Sequence, residues 1–290
     1  VSQSTNLIIK MAPIIFVFLW ATGFPAARFG TTDAEPFTFL GVRFGIALIL
    51  LSALVLLYIK PKNIEWAQFG HSMMVGVLMH GVYLGGVFYA VSKGMPAGIS
   101  ALIVALQPFF TAMIAWVVMG ERLSFIRVFF FATALFGVFM VLFPEFDICK
   151  AIPGITGETF SAGIIAMLGI SIGSVYQKKC VTSLNLWIGT SAQFLGAGIL
   201  MLVLSLATET QHLVWTLNTV LSLAWLVVVL SIGAVALLMY LIKQGDSSSV
   251  ASLFFLVPVV AFCMTWVLFG EAMNLIQILG GIFISLYLLS

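Results

Sequence analysis

Residues 107–121 read QPFFTAMIAWVVMGE, and residues 257–271 read VPVVAFCMTWVLFGE. Pro108, Trp116, Val117, Gly120 and Glu121 reappear as Pro258, Trp266, Val267, Gly270 and Glu271, each 150 positions later. The match extends outward from that pair. At the same offset Gly23 falls on Gly173, Arg28 on Lys178 and Arg43-Phe44 on Gln193-Phe194; at an offset of 151, Tyr89 falls on Tyr240 and Gly94 on Gly245. One unit is therefore written twice, with residues 1–150 as the first copy and 151–290 as the second.

The composition names the solvent. The chain is 62% hydrophobic and 8% charged, with mean hydropathy +1.20, against about 25% charge in soluble domains. A helix needs about 20 apolar residues to cross about 30 Å of hydrocarbon. Ten such runs fit, at 9–29, 35–58, 69–91, 96–119, 123–143, 159–178, 184–206, 220–241, 247–269 and 273–289. Lys60-Pro61-Lys62, the turn from Gly94 to Pro96, and the polar break 143–158 mark joints between them. The expected fold class is an all-α membrane protein: ten transmembrane helices built as two five-helix repeats that form one transmembrane domain. Because five is odd, the second copy enters the membrane from the opposite side, so the repeats are inverted.

Orientation follows from the Lys/Arg bias of short loops. With the N-terminus in the cytoplasm, the inner side receives Lys10, Lys60, Lys62, Arg122, Arg127, Lys178, Lys179 and Lys243, and the outer side only Arg28, Lys93 and Lys150. Both termini are therefore expected to be cytoplasmic. Lys10 before the first span looks like the flank of a signal peptide, but that span is one of many alike and is read as permanent. Cys149, Cys180 and Cys263 fall outside, inside and within a span, so no disulfide is expected. No metal-ligand spacing, cofactor motif or nucleic-acid-binding patch is visible.

Inverted halves supply two nearly equal states, open to either side, with a substrate site near mid-membrane; this is the construction of many secondary transporters. A membrane enzyme would need a reactive constellation, and none is present. A seven-span receptor is excluded by the span count. A passive channel would be separated from a carrier by saturable, counterflow-stimulated flux.

Several stretches resemble the EamA family of the drug/metabolite transporter superfamily: LWATGFPAARFG in the first span, VRF in the second, HGVYLGGVFYA in the third, and the two Pro…Gly-Glu endings. The likeness covers essentially the whole chain. It implies an inner-membrane carrier with ten spans in two halves, one that exports amino acids, their derivatives or other small metabolites. Import or exchange of a nucleoside-like or adenosylated metabolite or a drug, and a channel-like facilitator, are the alternatives.

A charge in hydrocarbon costs about 2.5–3.5 kcal/mol on insertion scales, which makes intramembrane ionisable residues functional candidates. Arg43 lies about nine residues, roughly 13 Å, into the second span, and His80 lies near the middle of the third. No Asp or Glu sits at comparable depth. Arg43 is read as the anchor of a substrate carboxylate, or else as held by backbone carbonyls around Gly23 and Pro25; its repeat mate is neutral Gln193. His80 is either a proton-coupling group or a neutral hydrogen-bonding residue that fixes Tyr83 or touches substrate. Helical spacing puts Gly76, His80, Tyr83 and Val87 on one face and the packing pair Gly81 and Gly85 on another. Gln107, Gln193, Trp20, Trp116 and Tyr176 complete the candidate substrate-binding set.

Pro108 and Pro258 are expected to kink their spans near mid-membrane, and Gly23 and Pro25 to loosen the first. Gly120-Glu121 and Gly270-Glu271 are expected to close their helices, with the carboxylates pairing nearby amides. Pro96, and Asp246 or Ser247, suit helix starts. The expected partners are a small-molecule substrate and the lipid bilayer, with protons as the candidate coupling ion; monomer and homodimer both stay open.

Overall fold

Long apolar segments can satisfy their backbone in lipid only as helices or closed barrels, and here those described are helices. The structure, a computed structural model, describes residues 3–60, 63–120, 154–244 and 256–270, with residues 129, 132–133, 136–137, 253 and 279–280. Among the described residues seven helices are long and apolar enough to cross a membrane: α1 Met11–Gly30, α2 Pro36–Ile59, α3 Trp66–Ser92, α4 Ala97–Met119, α5 Gly157–Cys180, α6 Leu186–Thr208 and α7 Leu217–Leu238. A shorter apolar helix, α8, covers Leu256–Phe269. Most of the expected spans at 123–143 and 273–289 lies outside the described residues, as do Glu121, Glu271, Asp246, Ser247 and Cys149.

Proline and glycine act here at helix ends. In α4 the helix stops at Val104 and a new one starts at Gln107, with Pro108 in its first turn. The expected kink at Pro108 is thus a full break. The reason is local: Pro lacks an amide and fits the first turn of a helix, where no intrahelical donor is needed. Pro258 likewise stands third in α8, whose described residues begin at Leu256. α1 breaks at Thr22, between Ala21 and Gly23, where the Thr22 hydroxyl donates to the Leu19 carbonyl at 2.5 Å and Pro25 offers no amide to Ala21. Gly120 and Gly270 end α4 and α8 with φ of +71° and +65°, each donating its amide at 3.0 Å to the carbonyl of Trp116 or Trp266. That left-handed conformation suits Gly, which explains half of the repeated Gly-Glu.

Two helices carry wide π-helical turns at mid-length, Val77–Val82 in α3 and Trp225–Ala234 in α7. Such turns are rare and concentrate at functional sites. These two contain His80 and Ser231.

Apolar burial between helices gains little when lipid is the alternative, so close backbone approach carries the packing. α3 and α6 show it most clearly: a Cβ at Gly76 would lie 1.9 Å from the Gln193 carbonyl oxygen, and one at Gly196 2.2 Å from that of Met73. Gly81 and Gly85 face α6 as well, against Leu200 and Met201. Phe16, Phe39, Phe44, Phe88 and Phe194 fill the fully buried centre. Leu57, Tyr58, Val117 and Leu217 are exposed on the perimeter, where lipid would cover them.

The two ends of the bundle are tied by different loops. At one, the turn between α1 and α2 pairs with the loop between α6 and α7 through an Ala34–Leu213 bridge. Glu209 accepts the Phe37 and Thr38 amides at 2.8 Å each, and Glu35 accepts the His212 amide at 2.7 Å. At the other end Ser183 donates to Glu65 at 2.9 Å, and the Thr182 amide to Gln68 at 3.0 Å.

Candidate functional site

The breaks and the π-helical turns converge on one place. Between the helices lies a pocket lined by Trp20, Gly23, Phe24, Arg43, Met79, His80, Tyr83, Leu84, Val87, Phe88, Ile170, Phe194, Leu230, Ser231 and Val235. A second, smaller chamber shares Trp20, Phe24, Tyr83 and Ile170 with it and adds Ala101, Val104, Ala105, Gln107, Pro108 and Val257.

Arg43 is the one cationic side chain in this lining. Only 5% of it is exposed, its Nη2 donates to the Ser231 hydroxyl at a long 3.4 Å, and its Nε has no acceptor. Among the described residues no carboxylate pairs with it. Its guanidinium carbon lies 5.6 Å from the centre of the Phe44 ring. A guanidinium with one weak bond and a buried, unmatched N–H is poised to take an anionic oxygen, because an unsatisfied buried donor costs about 1–3 kcal/mol and more when charged.

His80 is held differently. Its Nε2 and the Gln193 Oε1 are 3.1 Å apart, so Nε2 carries the proton and the amide oxygen accepts. The ring stacks on Phe194 at 5.0 Å, and Phe194 stacks on Phe44 at 5.7 Å. Tyr83, one helical turn beyond His80, is 7% exposed and lines both chambers.

The structure thus brings together Trp20, Gly23, Arg43, His80 and Tyr83 in the larger chamber and Gln107 and Pro108 in the smaller; Gln193 reaches the site through His80. Two expected residues stand apart. Trp116 is 53% exposed, as is its repeat mate Trp266, so the repeated Trp faces outward in both halves. Tyr176 bonds Nδ1 of His71 at 2.8 Å and lines neither chamber. Pro25 is buried in α1 and lines neither chamber.

Sequence reasoning missed Ser231, Phe24 and Phe194. Ser231 had a signal, since an offset of 151 from His80 lands on it. The phenylalanines had none in a chain with 26 of them. Among the described residues no group of three or more His, Cys, Asp or Glu could hold a metal, and Cys180 and Cys263 are free thiols.

The model of a family described as "EamA-like transporter family" matches residues 7–143 and 159–289. A protein of Escherichia coli (strain K12) named "Probable amino-acid metabolite efflux pump" is 25% identical over 93% of this chain and 90% of its own length. An "Uncharacterized inner membrane transporter YedA" of the same organism is 27% identical over 89% of this chain and 82% of its own length. A protein of known crystal structure superposes with a TM-score of 0.66 at 19% identity, covering 99% of this chain and 96% of that one, which shows a shared fold.

Proposed function

The chain belongs to the EamA-like transporter family, and on that premise we propose that it is a secondary carrier exporting amino acids or related carboxylate-bearing metabolites across the inner membrane by alternating access. The observation that carries the substrate class is Arg43, a buried guanidinium on the pocket wall whose bonding is incomplete. The guanidinium fork matches a carboxylate, and the surrounding rings suit an apolar body. Export is favoured by the efflux pump among its relatives.

In this reading ten spans form two inverted five-helix copies, residues 1–150 and 151–290. The directions of the described helices support it. The end of α4 lies by α5, where Lys179 reaches the Val118 carbonyl, whereas the end of α8 lies by α1, where Arg28 covers the Phe269 ring at 4.2 Å. Both termini are cytoplasmic, which fits an end with Lys60, Lys178 and Lys179 and an opposite end with Asp33, Glu35, Glu158 and Glu209. His80 acts as a hydrogen-bonding residue that donates to Gln193, and no carboxylate lies against it among the described residues to pass a proton on.

Counterflow by the purified protein in liposomes tests the proposal. Amino acids, N-acyl amino acids, purines and cationic drugs are offered in turn; carboxylates are expected to exchange saturably. Movement confined to cationic or uncharged compounds would remove the anchor.

A further inference from the structure

We propose that the smaller chamber, at the α4 break, is a second recognition subsite that takes a hydrogen-bond donor, an ammonium or amide N–H, at the far end of the substrate from its carboxylate. The proposal rests on the reading of Arg43 as the carboxylate anchor and deepens it.

The chamber is walled by the break itself, through Val104, Ala105, Gln107 and Pro108. A broken helix leaves carbonyls without their usual donors. Pro108 has no amide to offer the Val104 carbonyl. The Phe109 amide, which a continuous helix would give to Ala105, donates to the Leu106 carbonyl at 3.1 Å instead. Gln107 adds a third acceptor: its Nε2 donates to the Thr111 hydroxyl at 3.4 Å, so its Oε1 remains for a donor. Acceptors gather on this wall, and among the described residues no acidic or basic side chain lines the chamber.

Trp20, Phe24, Tyr83 and Ile170 wall both chambers, so an apolar segment would run between Arg43 and the break. A plain α-amino acid carries its two groups on one carbon, and its ammonium would face the Arg43 charge. A molecule with its donor several bonds away, such as an ω-amino acid or the amide end of an acylated one, meets both walls with matching chemistry. An alkali cation could use the same oxygens, and the test separates the two.

Equilibrium binding to the purified full chain in nanodiscs is measured by calorimetry for the straight-chain carboxylates butanoate to octanoate and for their ω-amino counterparts, in sodium and in choline buffer. At one chain length the amino compound is expected to bind about tenfold or more tightly than its parent, in both buffers. Gln107→Met and Pro108→Ala, the second of which restores an amide to Val104, are each expected to bring that ratio towards one. Arg43→Gln is expected to weaken both members of each pair and to preserve the ratio. No amine preference at any length, or a preference that survives both Gln107→Met and Pro108→Ala, overturns the subsite. So does sodium-dependent binding of the parents without an amine preference, which would give the oxygens to a cation. Unchanged parent binding in Arg43→Gln overturns the anchor instead, and is recognised because it shows in compounds that lack the amine.

Discussion

Phe44 stacks on Phe194, with ring centroids 5.7 Å apart and planes inclined by 24°. The two occupy the same position of the repeated unit, 150 residues apart. In the two-copy reading proposed above, a residue that touches its own counterpart straddles the axis relating the copies. The neighbours on either side then form crossed pairs: Arg43 with Ser231 at 3.4 Å, and their counterparts Gln193 with His80 at 3.1 Å. One pair is charged and loosely bonded, the other neutral and well bonded. The chemistry of the pocket is therefore one-sided although its frame is doubled.

Arg43→Gln should reduce carboxylate counterflow in liposomes by about tenfold to a hundredfold, the loss of one charge-assisted contact. Arg43→Lys keeps the charge without the fork and should recover only part of that. Ser231→Ala removes a 3.4 Å bond and should change the rate less than threefold, about 0.6 kcal/mol or less. A larger loss in Ser231→Ala than in Arg43→Gln would mean that the pair is structural.

An imposed proton gradient should leave initial rates unchanged, because among the described residues no carboxylate lies against His80 to exchange a proton with it. Gln193→Leu strands the half-buried His80 donor and should lower thermal stability by about 1 kcal/mol. Proton-driven flux that vanishes in His80→Gln would assign His80 to coupling.

Gly76→Ala should separate α3 from α6, since the new methyl would sit 1.9 Å from the Gln193 carbonyl oxygen. Overpacking of that kind costs about 1–3 kcal/mol, read as a drop in unfolding temperature. Gly45→Ala is the control, because a Cβ there meets nothing within 4 Å, and it should be neutral or stabilising.

Glu35 lies outside the spans, in the loop pairing at one end. What burial it has raises its carboxyl, but the amides of His212 and Thr210, with the Thr210 hydroxyl, outweigh this and hold it below the usual 4.5. A carboxylate with a depressed value stabilises the folded state above its unfolded value, and that contribution is lost as pH falls through the folded value. Unfolding temperatures of wild type and Glu35→Gln should differ at pH 7 and converge below about pH 4. A gap that stays constant with pH would show that charge on Glu35 plays no part.

Trp116→Leu should leave substrate affinity within twofold of wild type, since Trp116 faces outward, whereas Trp20→Leu should weaken it about fivefold or more by removing a ring from both chambers. Binding titrations of the two variants compare them directly.

Much of this was legible without coordinates. The apolar runs at 35–58, 69–91, 96–119, 159–178, 184–206 and 220–241 appear as α2 to α7 with ends shifted by a few residues. A run of about 20 apolar residues fits a spanning helix, whereas a barrel strand takes only about 10, so composition and length decide the element. Arg43 and His80 were legible for a related reason: an ionisable group at that depth is too costly to occur without a use.

Which side chains meet depended on how the helices rotate and how closely they approach, and hydropathy is silent on both. Trp20 and Trp116 read alike in the sequence; rotation of their helices turned one to the pocket and the other outward. Pro108 promised a disturbance, and only the resulting backbone turned a kink into a break that opens a chamber. Gln193 became the partner of His80 because Gly76 lets α6 lie against α3, a contact between residues more than a hundred positions apart. In a uniformly apolar chain local pattern specifies helices well, but helix rotation is set by small residues and polar pairs that acquire meaning only against their neighbours.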